Sequence, residues 1–451
     1  MNQAQVLFLD ILKYAIQGKK FDKDTSEYPW EQILYWAQLH KVLPMIFELI
    51  CEFPDVHIYL NDESNDTDYS NGTFNSDLKN ILLNYRMLAV ATVTEQIIKQ
   101  DQFLRLYDEL REMGIEPCVV KGLVIKNLYP KPYHRPSVDE DIFIKEEDFP
   151  ACHDFLIEKG IPLLKPMQKL EDHEVAYREK KGYIYVEVHK ALFDPEAKAY
   201  GQLNRYFEKA LENSRTEEVA LLSEPDHQVR IRTMAPTDHM LFLILHAYKH
   251  FLYSGFGIRQ VCDINMFARE YMEEIDWEYI GACLAENHAL IFIRALWRIG
   301  AAWLGFDWPC TDDTQLLLDQ SAKPVNVTDI DESLILRDIL EGGLYGAASL
   351  TRLHSSNITL EAVADSLHHG ASTKAGISYI LKSVFLPYER LKSRYPFLRK
   401  MPFLLPVAWI IRISSYAIEV LHGKKGFSGV SESVKMGQKR IEMLKKYGMI
   451  K

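Results

Sequence analysis

No two of the six cysteines, at positions 51, 118, 152, 262, 283 and 310, form a C-x-x-C pair. That excludes the usual redox and zinc signatures, and several of the six sit in apolar runs, as reduced core cysteines do. No early segment joins a basic start, an apolar core and a small-residue cleavage site. The opening Val6-Leu-Phe-Leu-Asp-Ile-Leu12 reads as an amphipathic helix start, so secretion is not expected and a cytoplasmic protein is. The apolar run Met401–Ile411 has 11 residues, is interrupted by Pro406 and ends at Arg412, whereas a bilayer span needs about 20. It reads as a buried helix, with an interfacial membrane helix as the alternative, because Arg394, Arg399, Lys400 and Arg412 flank Trp409 and Tyr395. There is no internal repeat and no low-complexity linker.

Basic residues are in the minority, at 52 against 63 acidic, for a net charge of −11. The deficit is uneven. From Gly376 onward 15 Lys/Arg face 4 Asp/Glu, a local +11, so the preceding chain carries −22. An acidic body opposes broad nucleic-acid binding. The basic tail is expected to pack on the rest of the chain, with a weak peripheral membrane contact as the alternative.

At 451 residues the chain has room for two or three domains. Three regions are expected: an N-terminal helical region over 1–78, a core over 79–235, and a C-terminal helical domain with the basic tail over 236–451. Leu7, Ile11, Leu12 and Tyr14 share a helical face, and the Asn/Asp/Ser-rich stretch from Asn61 to Asp77 reads as a loop. Ser76 is placed to cap a long helix that Gly114 ends. Glu146-Glu-Asp148 opens another helix, with Phe149, Cys152, Phe155 and Leu156 on its apolar face and Gly160 at its stop. Val229–Met234 reads as a strand, and Thr237 is placed to cap the first of a nearly continuous series of helices. This order suits an α+β fold, a small mixed sheet with helices packed on one face.

The chemistry concentrates between Val119 and Ile144. Pro117–Val120 predicts a buried strand, Lys121-Gly122 a break, Leu123–Leu128 a helix, and Val138–Ile144 a second strand. Strand residues two apart share a side, so Asp139 and Asp141 face one way while Val138, Ile142 and Ile144 face a core. Paired carboxylates are costly without a cation between them, and hard oxygen ligands suit Mg²⁺. The bland alternative is a solvated hairpin face. A third acid, Glu187, lies in Tyr185-Val-Glu187-Val-His189, whose alternation marks a strand; an exposed position fits that alternation equally well. His189 shares the face of Glu187.

Lys-Gly, a helix, Arg135-Pro-Ser137-Val-Asp139-Glu-Asp141, and the later Glu187-Val-His189 together resemble the uncharacterised nucleotidyltransferase family of the polymerase-β-like superfamily. The abortive-infection nucleotidyltransferase toxins are similar through the Lys-Gly and acidic-pair stretches. The superfamily usually has Gly-Ser or Gly-Gly before the acidic pair; here Lys121-Gly122 stands there, with a longer gap. The resemblance covers roughly residues 80–265. It implies a nucleotidyltransferase core and Asp139, Asp141 and Glu187 as catalytic ligands of two Mg²⁺ ions. It also implies an NTP as substrate, a hydroxyl-bearing acceptor, and pyrophosphate release.

For the phosphates, Lys121 offers an amine, Gly122 close backbone approach, Arg135 a planar fork and Ser137 a hydroxyl. Against these stand an ordinary turn, a pairing of Arg135 with Asp139 or Asp141, and a plain strand start. The resemblance further places Lys249, His250 and Arg259 near the nucleotide. His246 and His250 have the four-residue spacing of a zinc pair but lack the Glu of H-E-x-x-H, and Arg259 and Asp263 read as a helix ion pair. The competing function is a catalytically inactive binding or regulatory module on the same fold.

Overall fold

The computed structural model describes residues 1–61, 76–165, 168–197, 199–253, 255–307, 332–343, 385–386, 388–392, 395–421 and 428–450. Most of the expected 61–77 loop and Arg394 lie outside the described residues. Helix α1 (Gln3–Ile16) begins with a reciprocal cap: the Asn2 side chain accepts from the Gln5 N–H, and the Gln5 side chain accepts from the Asn2 N–H. Two backbone donors that the helix cannot satisfy are thereby paired. Its apolar face buries Phe8, Leu9, Ile11 and Leu12. Helices α2 (Trp30–Leu39), α3 (Leu43–Ile50) and α4 (Pro54–Asn61) follow. The long α5 (Ser76–Glu112) ends where Gly114 takes a positive φ of 79°, which suits a residue without Cβ.

The mixed sheet then assembles from β1 (Cys118–Val120), β2 (Glu140–Phe143), β3 (Glu174–Arg178), β4 (Tyr185–His189), β5 (Arg215–Ala220) and β6 (Gln228–Thr233). Their spatial order is β3-β4-β2-β1-β6-β5. β1 runs antiparallel to β2 and parallel to β6, while β2 runs parallel to β4. The short α6 (Gly122–Lys126) follows β1 directly, and α7 (Phe149–Glu158) follows β2, burying Phe149, Cys152, Phe155 and Leu156. The fold is α+β with a mixed sheet, as expected.

β2 is shorter than the predicted 138–144 strand, and Val138 is 60% exposed rather than in the core. The residue before it explains the difference. The Ser137 N–H and C=O are taken by the side-chain amide of Gln96 on α5, at 2.9 and 3.0 Å, so the backbone there does not join a ladder.

Beyond the sheet come α8 (Pro236–Tyr253), α9 (Ile258–Glu270), α10 (Trp277–Glu286) and α11 (Leu290–Leu304). α8 starts at Pro236, and Thr237 accepts from the Asp276 N–H at 2.9 Å instead of capping its own helix. One hydrophobic core draws residues from all three expected regions, from Phe8 to Ile450. The end of the tail belongs to it: Leu444, Tyr447 and Met449 are buried, and Arg440 reaches Asp338 and the backbone carbonyls of Phe251 and Tyr253.

In the helix Leu405–Leu421, Pro406 occupies the first turn, where it removes no intrahelical bond, so it does not break the helix. Leu404, Leu405 and Trp409 pack around Leu391, Leu398 and Ala408, while Ile410 stays exposed. Among the described residues no helix is long and apolar enough to cross a membrane.

Candidate functional site

The parallel pairing of β2 with β4 sets Asp141 directly opposite Glu187. Side chains alternate along each strand, so Asp139, Asp141, Glu187 and His189 project from one face of the sheet. One ligand atom from each of Asp141, Glu187 and His189 lies within 4.8 Å of the others. His189 Nε2 is 2.9 Å from Asp141 Oδ1, and Tyr185 donates to Glu187 at 2.6 Å.

The carboxyls respond to their crowding. Burial, then the charges of Asp141 and Asp139, push Glu187 up to about 7. Burial and Asp141 likewise raise Asp139. Burial opposes charge on Asp141 too, but Lys121 and His189 outweigh it and hold this carboxyl well below the usual range.

Lys121 supplies the neutralising cation, its Nζ 3.1 Å from Asp141 Oδ2 and 3.3 Å from His246 Nε2. An ammonium only donates, so His246 Nε2 accepts and its ring is neutral with the proton on Nδ1. His250 Nε2, 3.2 Å from the same atom, is then a donor. Burial, reinforced by Lys121, holds the His246 pKa well below normal, consistent with this arrangement. Lys249 lies over the rings of Phe193 and Tyr200, and burial followed by Lys121 lowers it to about 8.

Lys121 also carries backbone strain, with φ 55° and ψ −104° in a non-glycine residue. Its N–H donates to Nε2 of the fully buried His239 at 3.0 Å, which anchors the strained turn. A Cβ at Gly122 would meet Glu140 Oε2 at 3.0 Å, so a larger residue there would press on that buried carboxylate.

Glu140, between the two aspartates, points to the opposite side of β2. Its Oε1 receives Ser137 Oγ at 2.9 Å, Lys126 at 3.2 Å and Lys99 at 3.4 Å, all buried. The segment leading to Asp139 is held from several further directions. Glu48 on α3 pairs with Lys131 and His134. Asp263 on α9 takes Arg135 bidentately at 2.7 and 2.8 Å, and Arg259 donates to the Pro136 carbonyl. Arg259 and Asp263, spaced as a helix ion pair, each also reach across to the Arg135-Pro136 segment.

A small cavity of about 60 Å³ is lined by Lys121, Gly122, Arg135, Ser137, Asp139, Asp141 and Arg259 of the expected residues. Glu187 joins this group through Asp141, and His250 through His246. Lys249 lies on the aromatic side of the same helix. Sequence reasoning did not single out His239, Glu140 or the role of Asp263. His239, His246 and His250 are spaced by seven and four, one face of α8, a signal that was available. Asp263 and Arg135 are 128 residues apart, and nothing local joins them.

The mixed sheet with an acidic cluster on one face is the arrangement expected of a nucleotidyltransferase core. Residues 26–305 match the family of uncharacterised nucleotidyltransferases, and the chain belongs to that family. Comparison with curated proteins finds no match. An antigenic nucleotidyltransferase-like protein from Paracoccidioides brasiliensis is similar over 47% of this chain and 94% of its own, at 15% identity and a TM-score of 0.30. That likeness adds nothing to the reading of the site.

Proposed function

We propose that this protein transfers a nucleoside monophosphate from an NTP to a hydroxyl acceptor, releasing pyrophosphate, in a metal-dependent reaction. The observation that carries this reading is the placement of Asp139, Asp141 and Glu187 on one face, with Asp141 and Glu187 in register. The donor set fits a divalent cation: ligand atoms of Asp141, Glu187 and His189 lie within 4.8 Å of one another, Asp139 stands on the same face, and the carboxyls are crowded enough to push Glu187 up to about 7. Asp139, Asp141 and Glu187 would hold Mg²⁺, which supplies a Lewis acid at the phosphate and eases ionisation of the attacking hydroxyl.

The remaining work falls to the chain's own groups. Lys121 faces Asp141 from the β1 side and offers its ammonium to phosphate oxygens, and Gly122 lines the same cavity. In the transfer, the acceptor oxygen bonds to the α-phosphorus as the bond to the bridging oxygen breaks. Pyrophosphate leaves with that electron pair. Asp139, made more basic by burial and by Asp141, is suited to take the hydroxyl proton. Lys249 and His250 stand near enough on α8 to serve the nucleotide. Arg135, Ser137 and Arg259, engaged by Asp263, Glu140 and the Pro136 carbonyl, keep the Asp139 approach rigid.

The test is incubation with Mg²⁺ and each NTP, with mass spectrometry of pyrophosphate and of nucleotide-modified products. Asp139→Asn removes charge but little volume, and should abolish turnover while leaving the fold intact. Equal turnover by that variant would overturn the assignment.

A further inference from the structure

The sheet face that carries the acids continues beyond them in a direction the transfer reading leaves unused. In the antiparallel β3–β4 pair, Arg178 stands opposite Tyr185 and Ala176 opposite Glu187. Directly opposed residues share a face, so Arg178, Tyr185 and Glu187 form one surface. The Arg178 guanidinium lies 5.9 Å from the centre of the Tyr185 ring. Tyr183, two residues earlier in the hairpin, is 45% exposed. The hairpin beyond it carries exposed Lys180 and Lys181. Arg178, Glu179, Lys180, Lys181 and Tyr183, with Leu163 and Leu164, line an open cavity of about 650 Å³, within the size range of small-molecule sites. The acid of the turn, Glu179, is folded onto Gly182, where any Cβ would collide with its carboxylate.

Given the nucleotidyl-transfer reading, we infer that the cavity of Arg178, Lys180, Lys181 and Tyr183, which adjoins the acidic face where Arg178 meets Tyr185, is the acceptor subsite, and that the acceptor is itself a nucleotide. The strand order places it. Lys121, the cation suited to the triphosphate, follows β1 on one side of the acids, and Arg178 lies on β3 on the other. A donor held on the β1 side and an acceptor held on the β3 side would meet over Asp139, Asp141 and Glu187. The chemistry selects the ligand class. Exposed tyrosine offers a stacking surface for a base, and three cations in one hairpin offer partners for its phosphates. A purely anionic acceptor would not use the rings, and a neutral one would not use the cations. Because the rest of the body is acidic, contact with a polynucleotide would be confined to its end. The same chemistry is presented by a free nucleotide and by the terminal nucleotide of an RNA strand.

The full-length chain separates these sources in binding titrations with a fluorescein-labelled octa-adenylate RNA and with adenosine monophosphate, at low salt and without NTP. Wild type should bind at least one of them. Lys180→Glu with Lys181→Glu should weaken that binding about tenfold or more, and Tyr183→Ala about tenfold. Tight octamer binding with weak mononucleotide binding assigns a strand end, and the reverse assigns a free nucleotide. Thermal melting confirms that each variant is folded, and Mg²⁺-dependent NTP binding is read on the same samples. NTP binding with neither probe bound, or with probe affinity indifferent to both variants, overturns the acceptor subsite. Absence of NTP binding from wild type and variants alike counts instead against the transfer reading.

Discussion

Replacing Glu187 with Gln should stabilise the metal-free protein at alkaline pH and change it little in acid. Burial and the charges of Asp141 and Asp139 raise this carboxyl from its ordinary 4.5 to about 7. A group whose folded pKa is raised contributes stability that is complete below its unfolded pKa and lost as pH rises through the folded one. For Glu187 the window therefore runs from 4.5 to about 7. That span corresponds to at most about 3 kcal/mol, and partial solvent access screens it to about 2 kcal/mol. Gln keeps the oxygen that accepts from Tyr185 and removes only the charge. Urea unfolding of both proteins in EDTA, near pH 5 and near pH 8.5, reads the difference directly. The variant should gain about 2 kcal/mol over wild type at the higher pH relative to the lower. Mg²⁺ should then narrow the gap by stabilising wild type alone. A difference that does not change with pH would refute the crowded-carboxylate argument, whatever the variant does to turnover.

Asp263→Ala leaves the Arg135 guanidinium buried without its carboxylate and deprives the Tyr129 hydroxyl of an acceptor, and should cost about 4 kcal/mol in denaturant unfolding. Arg135→Met added to it should recover part of that loss, and strict additivity would rule out the pairing as the cause. Buried His40 and His239 are held near 3, below the ordinary 6.5, so each contributes stability that is present above pH 6.5 and lost as pH falls toward 3. His40→Gln should flatten the acid limb of a pH–melting curve, and an unchanged limb would count against it. Truncation before Arg440 removes its contacts with Asp338 and the end of α8, together with buried Leu444, Tyr447 and Met449. It should lower the melting temperature or yield aggregates, and an unaltered melt would show that the terminal segment does not support the core.

What was legible in the sequence followed from short-range periodicity. The two-residue repeat through Asp139-Glu-Asp141 and Tyr185-Val-Glu187-Val-His189 assigned each acid to a strand face, because alternation is a property of the extended backbone alone. Glycines 114 and 160 marked helix ends because only a left-handed residue closes those turns cheaply. The ion pairs were not legible in this way. Arg259 and Asp263 have ideal helical spacing, yet α9 also turns both toward the Arg135-Pro136 segment, where a buried guanidinium and a carbonyl need partners. Glu140 looked like a strand residue between two ligands, and only the packing of α5 and α6 beneath β2 gave it two lysines and a serine. Nothing near Lys121 in the chain foretold that His239 would hold its strained N–H or that Asp141 would take its ammonium. Backbone geometry decides which way a side chain points from a few neighbours, whereas its partner depends on which distant element is packed against it.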